Sequence, residues 1–232
     1  MTTETEQESR PRTPLSRDRV LRAAAALADR HGIDAVTMRG LAEEFGVEAM
    51  SLYHHVANKE DVLNGVVDVV MGEIGEAVGA IAPPERAAAW KAVLRARILA
   101  AREVFLRHPW APAVFQTRTD TSLSVLDYFD SVLALMSAGG FSHQQSHHAL
   151  HALGSRALGF NQELFTPPDP GAAPDPAAVQ AMAERLPHLA AMLLDVTHDD
   201  PDSTLGWCDD QAEFEFGLDL ILDGLDRLLA GQ

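Results

Sequence analysis

The sequence predicts an all-α protein, and three observations predict it. Apolar residues recur at three- and four-residue spacing along nearly the whole chain, the period of a helix with one buried face. No stretch shows the apolar–polar alternation of a half-buried strand. The periodic segments are separated by Gly, Pro and short polar residues of the kind that stop or cap helices. At 232 residues the chain is long enough to bury a core without staples, and its single thiol, Cys208, excludes an internal disulfide framework and fits a reducing compartment.

The elements follow in order. Ser16 to His31 reads as a helix with Val20, Ala23, Ala24, Leu27 and Ala28 on one face and Gly32 as its stop. Thr37 caps a short segment bearing Leu41, Ala42 and Phe45, which Gly46 ends. A second short segment starts near Glu48 and carries Leu52, Tyr53 and Val56. Asn58 caps the next helix, whose apolar stripe is Val62, Leu63, Val66, Val67, Val70 and Ile74, and Pro83-Pro84 breaks the chain. Beyond the break, helices are expected over 85–107, 120–138, 142–165, 176–195 and 211–230. Their joints are His108-Pro109, Gly139-Gly140, residues 166–176 with five Pro in eleven positions, and the acidic stretch 198–210. No apolar run approaches the roughly 20 residues of a membrane helix, and the first 14 residues hold no hydrophobic segment. A cytoplasmic protein is expected, with no membrane partner.

Taken alone, the formal charge of −16 argues against a nucleic acid partner, but it is unevenly spread. Residues 1–9 hold three Glu and no base, 10–59 hold eight Lys and Arg against six acids, and 60–232 hold ten bases against 25 acids. Arg10, Arg12, Arg17, Arg19 and Arg22 crowd into 13 residues. A short basic head on a long acidic body is consistent with a local electrostatic footprint, and equally with a frayed soluble terminus.

Residues 37–59, TMRGLAEEFGVEAMSLYHHVANK, have the anatomy of a helix-turn-helix. Two short helices that cross steeply need a small residue at the crossing, which Ala42 supplies, and a residue tolerant of positive φ at the turn, which Gly46 supplies. Leu41, Phe45, Val47, Leu52 and Val56 are spaced to close a small core beneath both helices. The second helix then presents Ala49, Met50, Ser51, His54 and His55 to a major groove.

Residues 16–63, SRDRVLRAAAALADRHGIDAVTMRGLAEEFGVEAMSLYHHVANKEDVL, resemble the TetR family of bacterial transcriptional regulators. Thr37, Arg39, Leu41, Ala42, Gly46, Val47, Leu52, Tyr53, His55, Val56, Lys59 and Leu63 carry the resemblance. It implies a three-helix DNA-binding head over 16–62, preceded by an arm at 1–15 and followed by a ligand-binding and dimerisation domain over 63–232. It also implies roles. Tyr53 and Lys59 contact backbone phosphates. Thr37 is a cap first and a phosphate contact second. Arg39 reaches a phosphate or a guanine edge. Ala49, Met50, Ser51 and His54 stand where bases are read, the first two suited to thymine methyls. His55 either touches phosphate or packs and caps the helix end. The arm Arg10–Arg19 is placed to enter an adjacent minor groove.

The rest of the chain resembles the tetracycline-repressor branch in HPWAPAVFQTRTD, GFSHQQSHHALHALGSRALGFNQELF and FEFGLDLILDGLDRLL. The resemblance implies a homodimer through the helices 142–165 and 211–230. The latter has Phe214, Leu218, Ile221, Leu222, Leu225 and Leu228 on one face and Phe216, Leu220 and Leu229 outside it, so it needs two partners, unless it is a central helix of a monomer. Trp110, Phe115, Arg118, Phe160, Asn161 and Glu163 stand near the branch's pocket, which suits a largely apolar effector with a polar handle; each has packing or ion pairing as its alternative. The branch's metal-coordinating histidine has no counterpart before Thr117-Arg118, where Val114, Phe115 and Gln116 stand, so no metal and no cofactor is expected. His143, His147 and His151 lie four apart beside His148, open to three readings: packing, a polar or pH-sensitive dimer contact, or metal binding. The function expected is a ligand-responsive DNA-binding regulator, most simply a repressor of a palindromic operator. The alternative is a constitutive or activating DNA binder without a ligand. An enzyme is disfavoured, because no nucleophile–base pair, phosphate loop or redox motif is present.

Overall fold

The computed structural model describes residues 14–118, 121–159, 176–195 and 210–231, and among these there is helix but no strand. The chain divides into two compact units, Met1–Ala82 with Leu99–Val132, and Pro83–Ile98 with Leu133–Gln232.

The first unit holds α1 (Arg17–His31), α2 (Met38–Phe45), α3 (Ala49–Leu52), α4 (Lys59–Gly79), the second half of α5 (Trp90–Arg107), α6 (Ala111–Thr117) and the start of α7 (Leu123–Ala138). Capping sets the ends of the early helices. The Ser16 hydroxyl accepts from the Arg19 amide at 3.2 Å, Thr37 from Gly40 at 3.0 Å and the Asn58 side chain from Asp61 at 2.9 Å. The Asp61 carboxylate in turn accepts from the Ala57 amide at 2.8 Å, closing the start of α4 reciprocally. Gly46 ends α2 at φ 60° and ψ 40°, the left-handed conformation the turn requires. One apolar cluster runs through this unit from Val20, Leu27 and Leu41 through Leu52, Val66 and Ile74 to Val104, Trp110 and Val114. Where α1 meets α4, a side chain at Gly65 would land on Leu21.

The second unit holds the first half of α5, the rest of α7, α8 (His143–Gly159), α9 (Pro176–Arg185), α10 (Pro187–Asp195) and α11 (Asp210–Ala230). Trp90 meets Phe141 edge to face with ring centres 4.7 Å apart, and Gly139 leaves the space for that indole. Arg95 joins α5 to α11, 2.7 Å from Asp219 and 2.6 Å from Glu215, and Lys91 pairs with Asp223 on the same helix.

Five expectations are corrected. The second short helix, expected to carry Leu52, Tyr53 and Val56 and to present His54 and His55, ends at Leu52, and residues 53–55 form a turn. Helix 85–107 begins at Trp90, after a single 3-10 turn at Ala87–Ala89. Residues 111–117 form α6, a helix the periodicity did not register because seven residues span barely two turns. Residues 176–195 form two helices, split before Pro187, whose ring removes a donor and crowds the preceding turn. On α11, Phe214, Leu218, Leu222 and Leu225 are buried, but Leu228 is exposed together with Phe216 and Leu220. This helix is therefore not a central one enclosed by its own chain.

Candidate nucleic-acid interface and effector region

The reading motif is α2, a turn and α3, seated on α1 and α4. Leu41, Ala42, Leu52 and Val56 are buried, and Phe45 and Val47 are packed against them, so the small core anticipated beneath the two helices is present. With those side chains turned inward, the opposite face of α3 is left open. Met50 is 69% exposed and Tyr53 45% exposed; His54 is exposed, and Ala49, Ser51 and His55 are half-buried. Lys59 stands exposed on the first turn of α4, beside the amides of that helix terminus. Thr37 is engaged as the cap of α2. Arg39 projects with its side chain 89% exposed, held only by a 2.9 Å pair with Glu43 one turn on, a pair weak enough to exchange for phosphate. Of the nine side chains proposed for DNA, Arg39 lies on α2 with Thr37 as its cap, Ala49, Met50 and Ser51 lie on α3, Tyr53, His54 and His55 on the turn that follows it, and Lys59 at the start of α4.

Two of the basic residues assigned to the arm belong instead to α1. Arg17 makes a two-pronged pair with Asp61 at 2.7 and 2.6 Å and also reaches the His55 carbonyl at 3.4 Å. Arg19 lies over the Phe45 ring at 5.2 Å. Arg10 and Arg12 lie outside the described residues. The hydrogen bond from Arg17 holds the Asp61 carboxyl below its ordinary range, against a smaller opposing effect of burial. Sequence spacing did not mark Arg17 and Asp61 as partners.

Of the six residues placed near an effector, Phe160, Asn161 and Glu163 lie outside the described residues, as does Cys208. The other three are engaged in the first unit. Trp110 is buried and its indole N–H donates to Asp29 at 2.7 Å. Phe115 is half-buried, edge-on to Phe105 at 5.7 Å. Arg118 donates to Glu60 at 2.6 Å and to Asn64 at 3.4 Å, the ion pairing held open for it above. It borders a recess of about 170 Å³ with Asn64, Val67, Asp68, Thr121 and Ser122, below the volume of a drug-sized pocket. Of Val114, Phe115 and Gln116, the places before Thr117-Arg118 where the tetracycline branch has its metal-ligating histidine, Val114 is buried and Phe115 half-buried. Among the described residues no group of three or more His, Cys, Asp or Glu is arranged to hold a metal.

In the second unit α8 and α11 pack side by side and leave an open apolar groove of about 650 Å³ lined by Ala149, Ala152, Ile221, Leu225 and Leu228, with Gln145 and His148 at its rim. The four histidines of α8 are exposed, not packed. The His147 ring lies 4.6 Å from that of His151 and 5.6 Å from that of His148.

Two family profiles match the chain. "Bacterial regulatory proteins, tetR family" covers residues 20–66, and "Tetracyclin repressor-like, C-terminal domain" covers 82–229. The chain belongs to the TetR family. This TetR-family chain is 36% identical over 136 residues to an HTH-type transcriptional regulator of Saccharopolyspora erythraea, a match spanning 59% of the chain and 55% of that protein. The chain thus spans about half the length of that relative. It is 29% identical to the HTH-type transcriptional repressor DrrR1 of Streptomyces coeruleorubidus, over 95% of the chain and 80% of the repressor. A solved structure, described as a possible TetR family transcriptional regulator of Streptomyces coelicolor A3(2), superposes with a TM-score of 0.70 at 28% identity, over 92% of this chain and all of that one. The profile named for bacterial regulatory proteins falls on α1, α2, α3 and the first part of α4. No described helix is long and apolar enough to cross a membrane.

Proposed function

We propose that this chain is a ligand-responsive transcriptional repressor that binds a palindromic operator as a homodimer. The observation that carries the reading is the exposed face of Met50, Tyr53 and His54 above a closed apolar core, flanked by Arg39 and Lys59. A flexible surface has no reason to bury Leu41, Leu52 and Val56 while holding a methionine and a tyrosine in water. Met50 and Ala49 read thymine methyls; Ser51 and His54 contact base edges; Tyr53, Lys59, Arg39 and, secondarily, Thr37 and His55 position the head on phosphates.

Residues 16–62 form the reading head and 63–232 the regulatory part, after an arm at 1–15. The second copy docks on the α8–α11 groove, which a monomer would leave as exposed apolar surface. The effector is held in the regulatory part, at or near Trp110, Phe115, Arg118, Phe160, Asn161 and Glu163. It acts by population shift, favouring heads whose separation no longer matches half-sites about 34 Å apart. The chain is not an enzyme, and it works in the cytoplasm, where its operator lies.

Selection of bound fragments from a random duplex pool tests this reading. A palindrome with two half-sites is the expected product; enrichment of no sequence rejects it. A thermal-shift screen of small molecules tests the effector, because a ligand bound only to the native dimer raises the melting temperature.

A further inference from the structure

Three segments of the first unit, α1, α4 and the α5–α6 corner, converge on the His108 imidazole. Asp29 stands in the last turn of α1, and its Oδ1 lies 2.8 Å from His108 Nδ1 and 2.7 Å from the Trp110 indole nitrogen. The other face of the imidazole, Nε2, lies 3.2 Å from Glu73 Oε2 on α4. Arg107, the last residue of α5, donates to that same Glu73 oxygen at 2.9 Å. The two rings are buried, with centres 5.8 Å apart, whereas the Asp29 and Glu73 carboxylates close over them from the rim with side chains 31% exposed.

The apolar cluster around this site holds α1 against α4 and the α5–α6 corner, but apolar contact is non-directional and tolerates rotation. The hydrogen bonds to Asp29 do not. A rotation of α1 that carried Asp29 away would strand a buried indole N–H and a buried imidazole together. Trp110 also occupies the residue position at which α6 begins, without a side-chain capping bond. At the other end of α6, Arg118 is tied to Glu60, next to Lys59. Loss of the Asp29 contacts therefore leaves α1 held to the first turn of α4 at its Arg17 end, by the pair with Asp61, and frees its other end to pivot, carrying α2 and α3 with it.

We propose that Asp29, His108 and Trp110 are positioning residues for operator reading, a clasp that sets the angle of the head by giving α1 one register against α4 and the α5–α6 corner. The inference rests on the regulator reading above and adds to it the contact that orients the head.

The test uses full-length homodimer. Binding to the palindrome selected by the wild type and to an unrelated duplex is measured for Asp29→Ala, Asp29→Asn and Trp110→Phe at one salt concentration. Spin labels at Glu48→Cys, in a Cys208→Ser background, report the spacing between the two heads without DNA. Asp29→Ala is expected to lose affinity for the palindrome by about five- to thirty-fold, with non-specific binding unchanged and a broadened head-to-head distribution. Trp110→Phe should fall between it and wild type. Asp29→Asn, which keeps an acceptor for the indole, should recover part of the loss. Variants that match wild type in palindrome affinity and head spacing overturn the inference. So does an equal loss on both duplexes accompanied by a lowered melting temperature, which marks a merely structural role. A wild type that selects no palindrome overturns the regulator reading and this inference with it, whereas a wild type that selects one, beside indistinguishable variants, overturns only the clasp.

Discussion

Gly46 occupies the left-handed region at φ 60°, and a methyl group added there would meet nothing within 4 Å. The demand on this position is therefore conformational and not steric. Gly46→Ala should destabilise the head by about 1–2 kcal/mol, read as a shifted denaturation midpoint, and a fall below half of that would mean the turn relaxes. Tyr53 and Lys59 are exposed and make no part of the apolar cluster, so their loss should be felt in binding and not in folding. Tyr53→Phe and Lys59→Ala should weaken binding on all duplexes alike, and Lys59→Ala should lower the salt slope by about one. A melting temperature that moves while binding does not would contradict their proposed place. The turn glycine was legible from residue type and spacing because it depends on local geometry within a turn, whereas the roles proposed for Tyr53 and Lys59 rest on the family resemblance. The engagement of Arg17 was not legible, since its partner Asp61 lies 44 positions away.

At the scale of elements, α4 is the best specified helix at its start. Asn58 caps it, Asp61 returns the bond to Ala57, and Arg17 ties that carboxylate to α1. Asn58→Ala should cost about 1 kcal/mol, measured by chemical denaturation. The pH dependence has a definite sign. Asp61 is held below its ordinary range by the Arg17 hydrogen bond, so its charged form is favoured in the folded state. The stabilisation is complete above the unfolded aspartate range and fades as the pH falls through about 4 and below. Arg17→Met should flatten that part of the acid-unfolding curve; an unchanged curve would show the pair to be inert. Helix α6 and the split between α9 and α10 were hidden for opposite reasons. Seven residues are too few to display a period, and the twenty residues 176–195 show one period across a proline that interrupts the hydrogen bonding beneath it.

For the whole molecule, the formal charge of −16 describes the acidic body beyond residue 59 far more than the head. That body repels the duplex and should keep non-specific affinity low, so that paired heads supply the attraction. In the proposed dimer, pairing uses the open face of α11, where Leu220 and Leu228 are exposed. Leu220→Asp with Leu228→Asp should give a monomer by light scattering and weaken palindrome binding far more than single half-site binding; a persisting dimer would place the seam elsewhere. The sequence by itself determined the helical class, the capped starts of the early helices, the turn glycine and the helix-turn-helix, because periodicity, capping and backbone conformation are settled between near neighbours. Only the tertiary structure decided that Asp29 meets His108 across 79 positions and that Arg118 meets Glu60 across 58. An aspartate in the last turn of an amphipathic helix looks like any solvated residue. Which polar group it binds is settled by how whole helices pack, and that choice is written in no local pattern.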